Sequence, residues 1–182
     1  MDAGLQRISD GLARGLHAAG YFAYELGYCL EPKLRALFPP SLNVPLFWVG
    51  LYEEAQRMSD EEVRHWLDDR GGAGPAKISN LTLTWSREDY GRAFKTVQDY
   101  IASGDVYQIN LTQKYGFEFD GDPIALYRAL RRRQRVAYGA LIETPDLAVL
   151  SLSPELFFRR EDQQLSTRPM KGTAPRGRTP RE

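Results

Sequence analysis

The chain has a single cysteine, Cys29, and only two histidines, His17 and His65. A lone thiol excludes an internal disulfide and suits a reducing compartment. The two histidines fall in separate predicted helices and have no ligand-spaced partners, so no metal site is spelled out. Charge of one sign is lacking too: 24 Lys and Arg against 24 Asp and Glu leave a formal net charge of +0. That removes the global electrostatic footprint expected for nucleic acid or for an anionic membrane surface, and a charged substrate must therefore be met by local groups. No apolar run approaches the roughly 20 residues of a spanning helix, and no secretory apolar segment opens the chain. The expectation is a cytoplasmic protein with no membrane and no nucleic-acid partner. What is present, 42% hydrophobic and 26% charged residues over 182 positions, is ordinary globular usage and enough for a domain with a core.

Taken in order, Leu5, Ile8, Leu12 and Leu16 recur at three-to-four spacing, which predicts an amphipathic helix from Met1 to about His17, stopped by Gly20. Gly20 to Gly27 reads as a short aromatic strand. Pro32, Pro39, Pro40 and Pro45 mark a connection to Leu46–Tyr52, a continuous apolar run expected to be a strand covered on both sides. Ser59 and Glu62 have capping-box spacing, and Val63, Trp66 and Leu67 give the following helix an apolar side to lay on a sheet. Residues 71–75 are Gly-Gly-Ala-Gly-Pro, a linker without the Gly-Lys-Ser/Thr ending of a phosphate loop. Ile78, Leu81, Leu83 and Trp85 outline a strand.

Ser86 caps a second helix with early acidic residues. Its stripe of Tyr90, Phe94, Val97, Tyr100 and Ile101 is expected in the core, with Gly104 as the stop. Val106 to Tyr115 alternates strictly, predicting a strand with Gln108, Asn110 and Thr112 on one face and Tyr107, Ile109 and Leu111 on the other. That polar face is either solvent-exposed or the lining of a cleft for a hydroxylated dicarboxylate. Asp122-Pro123 starts another helix, which ends in Arg131, Arg132, Arg133 and Arg135. A basic run suggests nucleic acid, but at a helix C-terminus it also complements the dipole, and that is the reading adopted. Val136 to Glu143 is the next expected strand, with Pro145-Asp146 as the turn out of it.

The stretch around which the chain is organised follows. Leu147 to Phe158 reads as two apolar strands broken at Ser153-Pro154, since proline cannot donate to a ladder. Glu155 is thereby placed at a strand start. Residues 161–164, Glu-Asp-Gln-Gln, supply a turn, so the chain doubles back and Arg168 to Thr173 emerges from the neighbouring strand. A carboxylate at 155 and an amine at Lys171 could thus meet beside Phe157, Phe158, Pro169 and Met170. Apolar surroundings favour the neutral form of both groups, the condition that an amine nucleophile and a carboxylic general acid need. By residue type alone, a strand-end glutamate and a solvated lysine in a glycine turn remains the plainer reading.

The wording of these stretches adds to that. Ser-Leu-Ser-Pro-Glu at 151–155, Thr-Arg-Pro-Met-Lys-Gly-Thr at 167–173 and Ser-Gly-Asp-Val-Tyr-Gln-Ile-Asn-Leu-Thr-Gln at 103–113 together resemble the signature of the chorismate-utilising enzymes. The lysine at 171 resembles the aminodeoxychorismate synthase component I subgroup, whereas anthranilate synthases carry alanine there. The resemblance implies an α+β fold of antiparallel sheets with helices packed outside them, part of the sandwich of this family. Residues 1–85 would belong to the N-terminal part of that fold, itself truncated, and 86–182 to the first part of the catalytic domain, with its C-terminal half missing.

It further implies amination of chorismate at C4 to 4-amino-4-deoxychorismate, for p-aminobenzoate and folate synthesis, with ammonia from a glutamine amidotransferase. Lys171 and Glu155 would be catalytic, and Thr173, Gly172 and Gln108 would bind substrate. Gln108 stands where water-adding relatives keep a lysine, which points toward ammonia. A Mg²⁺ would be held by glutamates outside this chain, so these residues alone are expected to be inactive. The alternatives are anthranilate synthase component I and a non-catalytic fragment that only folds and binds a partner.

Overall fold

The computed structural model describes residues 2–72, 74, 76–169 and 179, and consists of helices and four two-stranded antiparallel sheets. The chain therefore has the expected α+β character, and no barrel is formed among the described residues. It divides into two compact units, one of the described residues up to Trp66 and from Gln134 onward, the other Leu67–Arg133.

In the first unit, helix α1 (Asp2–Ala13) ends earlier than its apolar spacing suggested. Gly15 takes a left-handed φ of 85°, and the amides of Gly15 and Leu16 bond back to Leu12 and Gly11. Such a turn closes a helix and is open to glycine at little steric cost. Leu16 continued the helical pattern only by coincidence of spacing. Strand β1 (His17–Phe22) then pairs with β2 (Phe47–Tyr52), running from His17 opposite Tyr52 to Phe22 opposite Phe47, and the last two rings stack at 5.8 Å. A β-carbon on Gly20 would lie 2.0 Å from the carbonyl oxygen of Trp48, so this position in β1 excludes any side chain. Helix α1 lies close to β2, with Gly4 against the Phe47 ring and Gly11 against Leu51.

The run Leu46–Tyr52 is half-buried rather than covered on both sides; Leu51 and Tyr52 are exposed. The connection before it is not structureless, since helix α2 (Leu26–Leu30) and a 3₁₀ segment (Pro32–Leu37) occupy it, with Leu26 buried. Proline is tolerated in a first helical turn, where its missing N–H has no partner to lose.

Helix α3 (Asp60–Arg70) carries the expected box: the Glu62 amide donates to Ser59 Oγ at 3.2 Å, and Glu62 Oε2 accepts from the Ser59 amide at 2.6 Å. These bonds favour the ionised carboxyl and hold Glu62 below the ordinary carboxylate range.

In the second unit, the last turn of α3 meets helix α5 (Pro123–Arg133) through Asp68, which receives Arg132 at 2.8 Å and Arg128 at 3.6 Å. Arg132 of the basic run, with Arg128 one turn earlier, thus serves an ion-pair cluster between helices. Asp122 caps α5 through the Ile124 amide and also accepts the Gly72 amide at 2.9 Å. Strand β3 (Lys77–Leu83) pairs with β4 (Tyr115–Asp120), with an extra residue on β3 between Ser79 and Thr82 where Asn80 takes a φ of 52°. Between them lies α4 (Arg87–Ser103), closed at Gly104. Ser86 Oγ accepts the Asp89 amide, and Asp89 Oδ2 accepts from the Ser86 hydroxyl and amide. The Ser86 hydroxyl bond, foremost, lowers the Asp89 pKa. The α4 stripe expected in the core is exposed instead at Tyr90, Phe94, Tyr100 and Ile101, and Tyr90 stacks on Phe94 at 6.4 Å.

Candidate active site

Strands β5 (Tyr138–Glu143) and β6 (Ala148–Ser153) form the hairpin that delivers the chain to Glu155. Their register runs from Glu143 opposite Ala148 to Tyr138 opposite Ser153. The turn around Pro145-Asp146 is locked by Thr144: its amide and hydroxyl both donate to the Leu147 carbonyl, at 2.9 and 3.1 Å, and its Oγ1 accepts the Leu147 amide. β6 stops at Ser153 because the next residue, Pro154, has no N–H to continue a ladder. Strand β7 (Leu156–Glu161) then pairs with β8 (Gln164–Arg168) across a turn in which Asp162 has a φ of 53°.

Glu155 lies at the joint between β6 and β7, immediately before β7, as its place in the sequence predicted. The Ser153 hydroxyl grips its backbone twice: Ser153 Oγ accepts the Glu155 amide at 3.2 Å and donates to the Glu155 carbonyl at 3.1 Å. One residue further, the Leu156 carbonyl accepts the Thr167 hydroxyl at 3.4 Å. Leu156 is opposite Arg168 and Arg159 is opposite Ser166, so β7 has three steps where β8 has two. This bulge, which re-aims side chains and bends the strand, begins directly after Glu155. Both hydroxyl contacts were missed from sequence, although a serine two residues before a backbone amide is a recognisable local pattern.

The desolvating surround expected for Glu155 is not supplied by the described residues. Glu155 is exposed, and Phe157 and Phe158 are 87% and 57% exposed, their rings 5.3 Å apart and tilted by 57°. The bulge explains part of this, because it breaks the alternation that would have turned one of the two rings inward.

Gln108 is exposed in a segment, 104–114, that forms no ladder among the described residues; the strand expected over Val106–Tyr115 starts only at Tyr115. Its end is nevertheless anchored: the Thr84 amide and hydroxyl donate to the Lys114 carbonyl, each at 3.0 Å, and the Lys114 amide donates to Thr84 Oγ1. Gln108 belongs to the second unit and Glu155 to the first. Lys171, Gly172 and Thr173 lie outside the described residues.

Among the described residues no group of three or more His, Cys, Asp or Glu side chains is placed to hold a metal ion. No described helix is long and apolar enough to cross a membrane. A groove of about 730 Å³ runs between α1 and β2, lined by Arg7, Asp10, Arg14, Phe47 and Val49 among others, and contains none of the predicted site residues.

The family of chorismate binding enzymes matches residues 2–182. Among characterised relatives, aminodeoxychorismate synthase component 1 of Klebsiella aerogenes is 38% identical over 176 residues, covering 87% of this chain and 39% of the relative. The Escherichia coli protein of the same name is 35% identical over 182 residues, with 91% and 40% covered. Anthranilate synthase component 1 of Pseudomonas putida is 38% identical over 211 residues, with 97% and 42% covered. The chain thus spans about two fifths of the length of these relatives. With the whole described fold inside that match and the Ser-Pro-Glu joint built at its expected place, the chain belongs to the chorismate binding enzyme family.

Proposed function

We propose that this chain is part of an aminodeoxychorismate synthase component I, which aminates chorismate at C4 with ammonia delivered by a glutamine amidotransferase. The observation that carries the reading is the β7–β8 hairpin. It starts beside Glu155 and ends at Arg168, three residues before Lys171 in the sequence. Family membership and the similarity to two enzymes of that name support it.

In the proposed chemistry the Lys171 amine forms a bond to C2 of chorismate, both conjugated ring double bonds shift, and the C4 hydroxyl departs as water with a proton from Glu155. Ammonia then bonds to C4 and gives a proton back to the Glu155 carboxylate, the two double bonds shift back, and the C2–nitrogen bond to Lys171 breaks. Chorismate and ammonia are consumed; 4-amino-4-deoxychorismate and water are formed. Gln108, Gly172 and Thr173 hold the substrate. The Mg²⁺ implied by the resemblance would be held by glutamates outside this chain, and no step above passes through it. The division of the chain at residue 86 into a supporting and a catalytic part, and a cytoplasmic location for folate synthesis, belong to the same proposal.

The similarity to anthranilate synthases favours one competing product. Incubating the enzyme that carries this chain with chorismate, Mg²⁺ and ammonium, and separating the products by chromatography, distinguishes them. 4-Amino-4-deoxychorismate is the expected product; anthranilate would overturn the proposal in favour of the neighbouring subgroup.

A further inference from the structure

We infer that Ser153 is a positioning residue for Glu155, acting only through it; this rests on the role given to Glu155 above. The hydroxyl of Ser153 meets both backbone polar groups of Glu155, accepting from its amide at 3.2 Å and donating to its carbonyl at 3.1 Å. Ser153 is itself fixed by the β5–β6 ladder, where it sits opposite Tyr138. On the far side, the Thr167 hydroxyl holds the Leu156 carbonyl at the start of the bulge.

Glu155 is exposed, so tight packing does not orient it. Pro154 on one side has no N–H and a fixed φ, and the β7–β8 ladder begins only at Leu156 on the other. Between these two constraints the Ser153 hydroxyl bonds the Glu155 backbone on both of its polar groups. A carboxylic acid must reach the departing oxygen within hydrogen-bond distance, and a displacement of about 1 Å from productive geometry can lower a rate about 10²-fold. Without the hydroxyl, the Glu155 backbone loses these two bonds and the carboxyl shifts with it. Binding of substrate by other groups is untouched.

The test uses the enzyme that carries this chain, with ammonia as nitrogen source, and compares Ser153→Thr with Ser153→Val. The two replacements have the same shape and differ in the hydroxyl. Each is made with Glu155 intact and with Glu155→Gln. With Glu155 intact, Ser153→Val is expected to lower kcat about 10- to 100-fold relative to Ser153→Thr, with KM for chorismate within about twofold. With Glu155→Gln in place, the Thr and Val forms should differ by less than about twofold, because the group being positioned is gone. Equal rates for Thr and Val while Glu155→Gln alone is slow would overturn the positioning role and leave the acid role standing. An equal loss in both backgrounds would also overturn it, by showing a structural effect independent of Glu155. If Glu155→Gln leaves kcat unchanged, the acid role itself fails and the inference with it.

Discussion

Two regions that carry parts of the family signature fold in opposite ways. Residues 138–168 form two successive hairpins, the second with a bulge, whereas 104–114, with the cleaner alternation of polar and apolar residues, forms no ladder among the described residues. The difference lies in where a partner edge can come from. β5 finds β6 across a four-residue turn locked by Thr144, and β7 finds β8 across Asp162. Hairpins of this kind need only local chain closure, which has a small entropic cost. The segment after Gly104 joins α4 to β4, and β4 folds back on β3, across the helix, rather than on this segment. Alternation thus specifies which residues would share a face; a ladder also requires a partner strand.

The strongest way to break this contrast is at its chemical end. If the hairpin joint carries the acid, Glu155→Gln in the enzyme should lower kcat by about 10²- to 10⁴-fold with little change in KM, read by ammonia-dependent turnover. An unchanged kcat would remove Glu155 from the mechanism. The structural end is read by hydrogen exchange. Amides inside the β5–β6 and β7–β8 ladders should exchange at least about tenfold more slowly than those of 106–113, since laddered amides must open before they exchange. Equal protection would show that 106–113 is paired in solution. Gln108→Ala should act more weakly than Glu155→Gln, raising KM about two- to tenfold with kcat nearly constant, the loss of one neutral hydrogen bond to substrate. A loss confined to kcat would contradict its binding role.

The smallest effect is expected from pH. Asp89 and Glu62 ionise more readily in their capping boxes than in the unfolded chain, chiefly through Ser86 and Ser59 respectively. Their contribution is therefore complete above the unfolded carboxylate range and is lost as pH falls through the lower folded values. Far-UV circular dichroism should show α3 and α4 fraying across that acid window, and Ser86→Ala should remove the part due to α4. An acid response unaltered by Ser86→Ala would assign it elsewhere.

Sequence carried the local decisions well and the spatial ones poorly. The Ser59–Glu62 capping box, the Ser86 cap, the Asp122-Pro123 helix start, the Pro145-Asp146 turn and the break at Pro154 were legible because each rests on residues within a few positions of one another. The end of α1 was not, because Leu16 kept the helical spacing past the left-handed Gly15. Helix α2 and the 3₁₀ segment were hidden by the prolines around them. The exposed aromatic stripe of α4 and the outward Phe157 were misjudged for a different reason. Periodicity identifies a face that seeks cover; the neighbours that would supply it are not written in the same segment. At the site, the position of Glu155 was legible from Ser-Pro-Glu, while the two hydroxyls that shape its surroundings depend on side-chain geometry that spacing alone does not fix.

The central claim is that the β7–β8 hairpin brings a nucleophilic amine and an acid to one substrate, and it is tested most directly by looking for the covalent bond. The enzyme that carries this chain, quenched in acid during slow turnover of chorismate with limiting ammonia, should yield a peptide containing Lys171 that bears a chorismate-derived mass, absent from Lys171→Ala, whose turnover should also fall by orders of magnitude. Wild-type enzyme that turns over under these conditions without any substrate-derived adduct on that peptide would contradict the account.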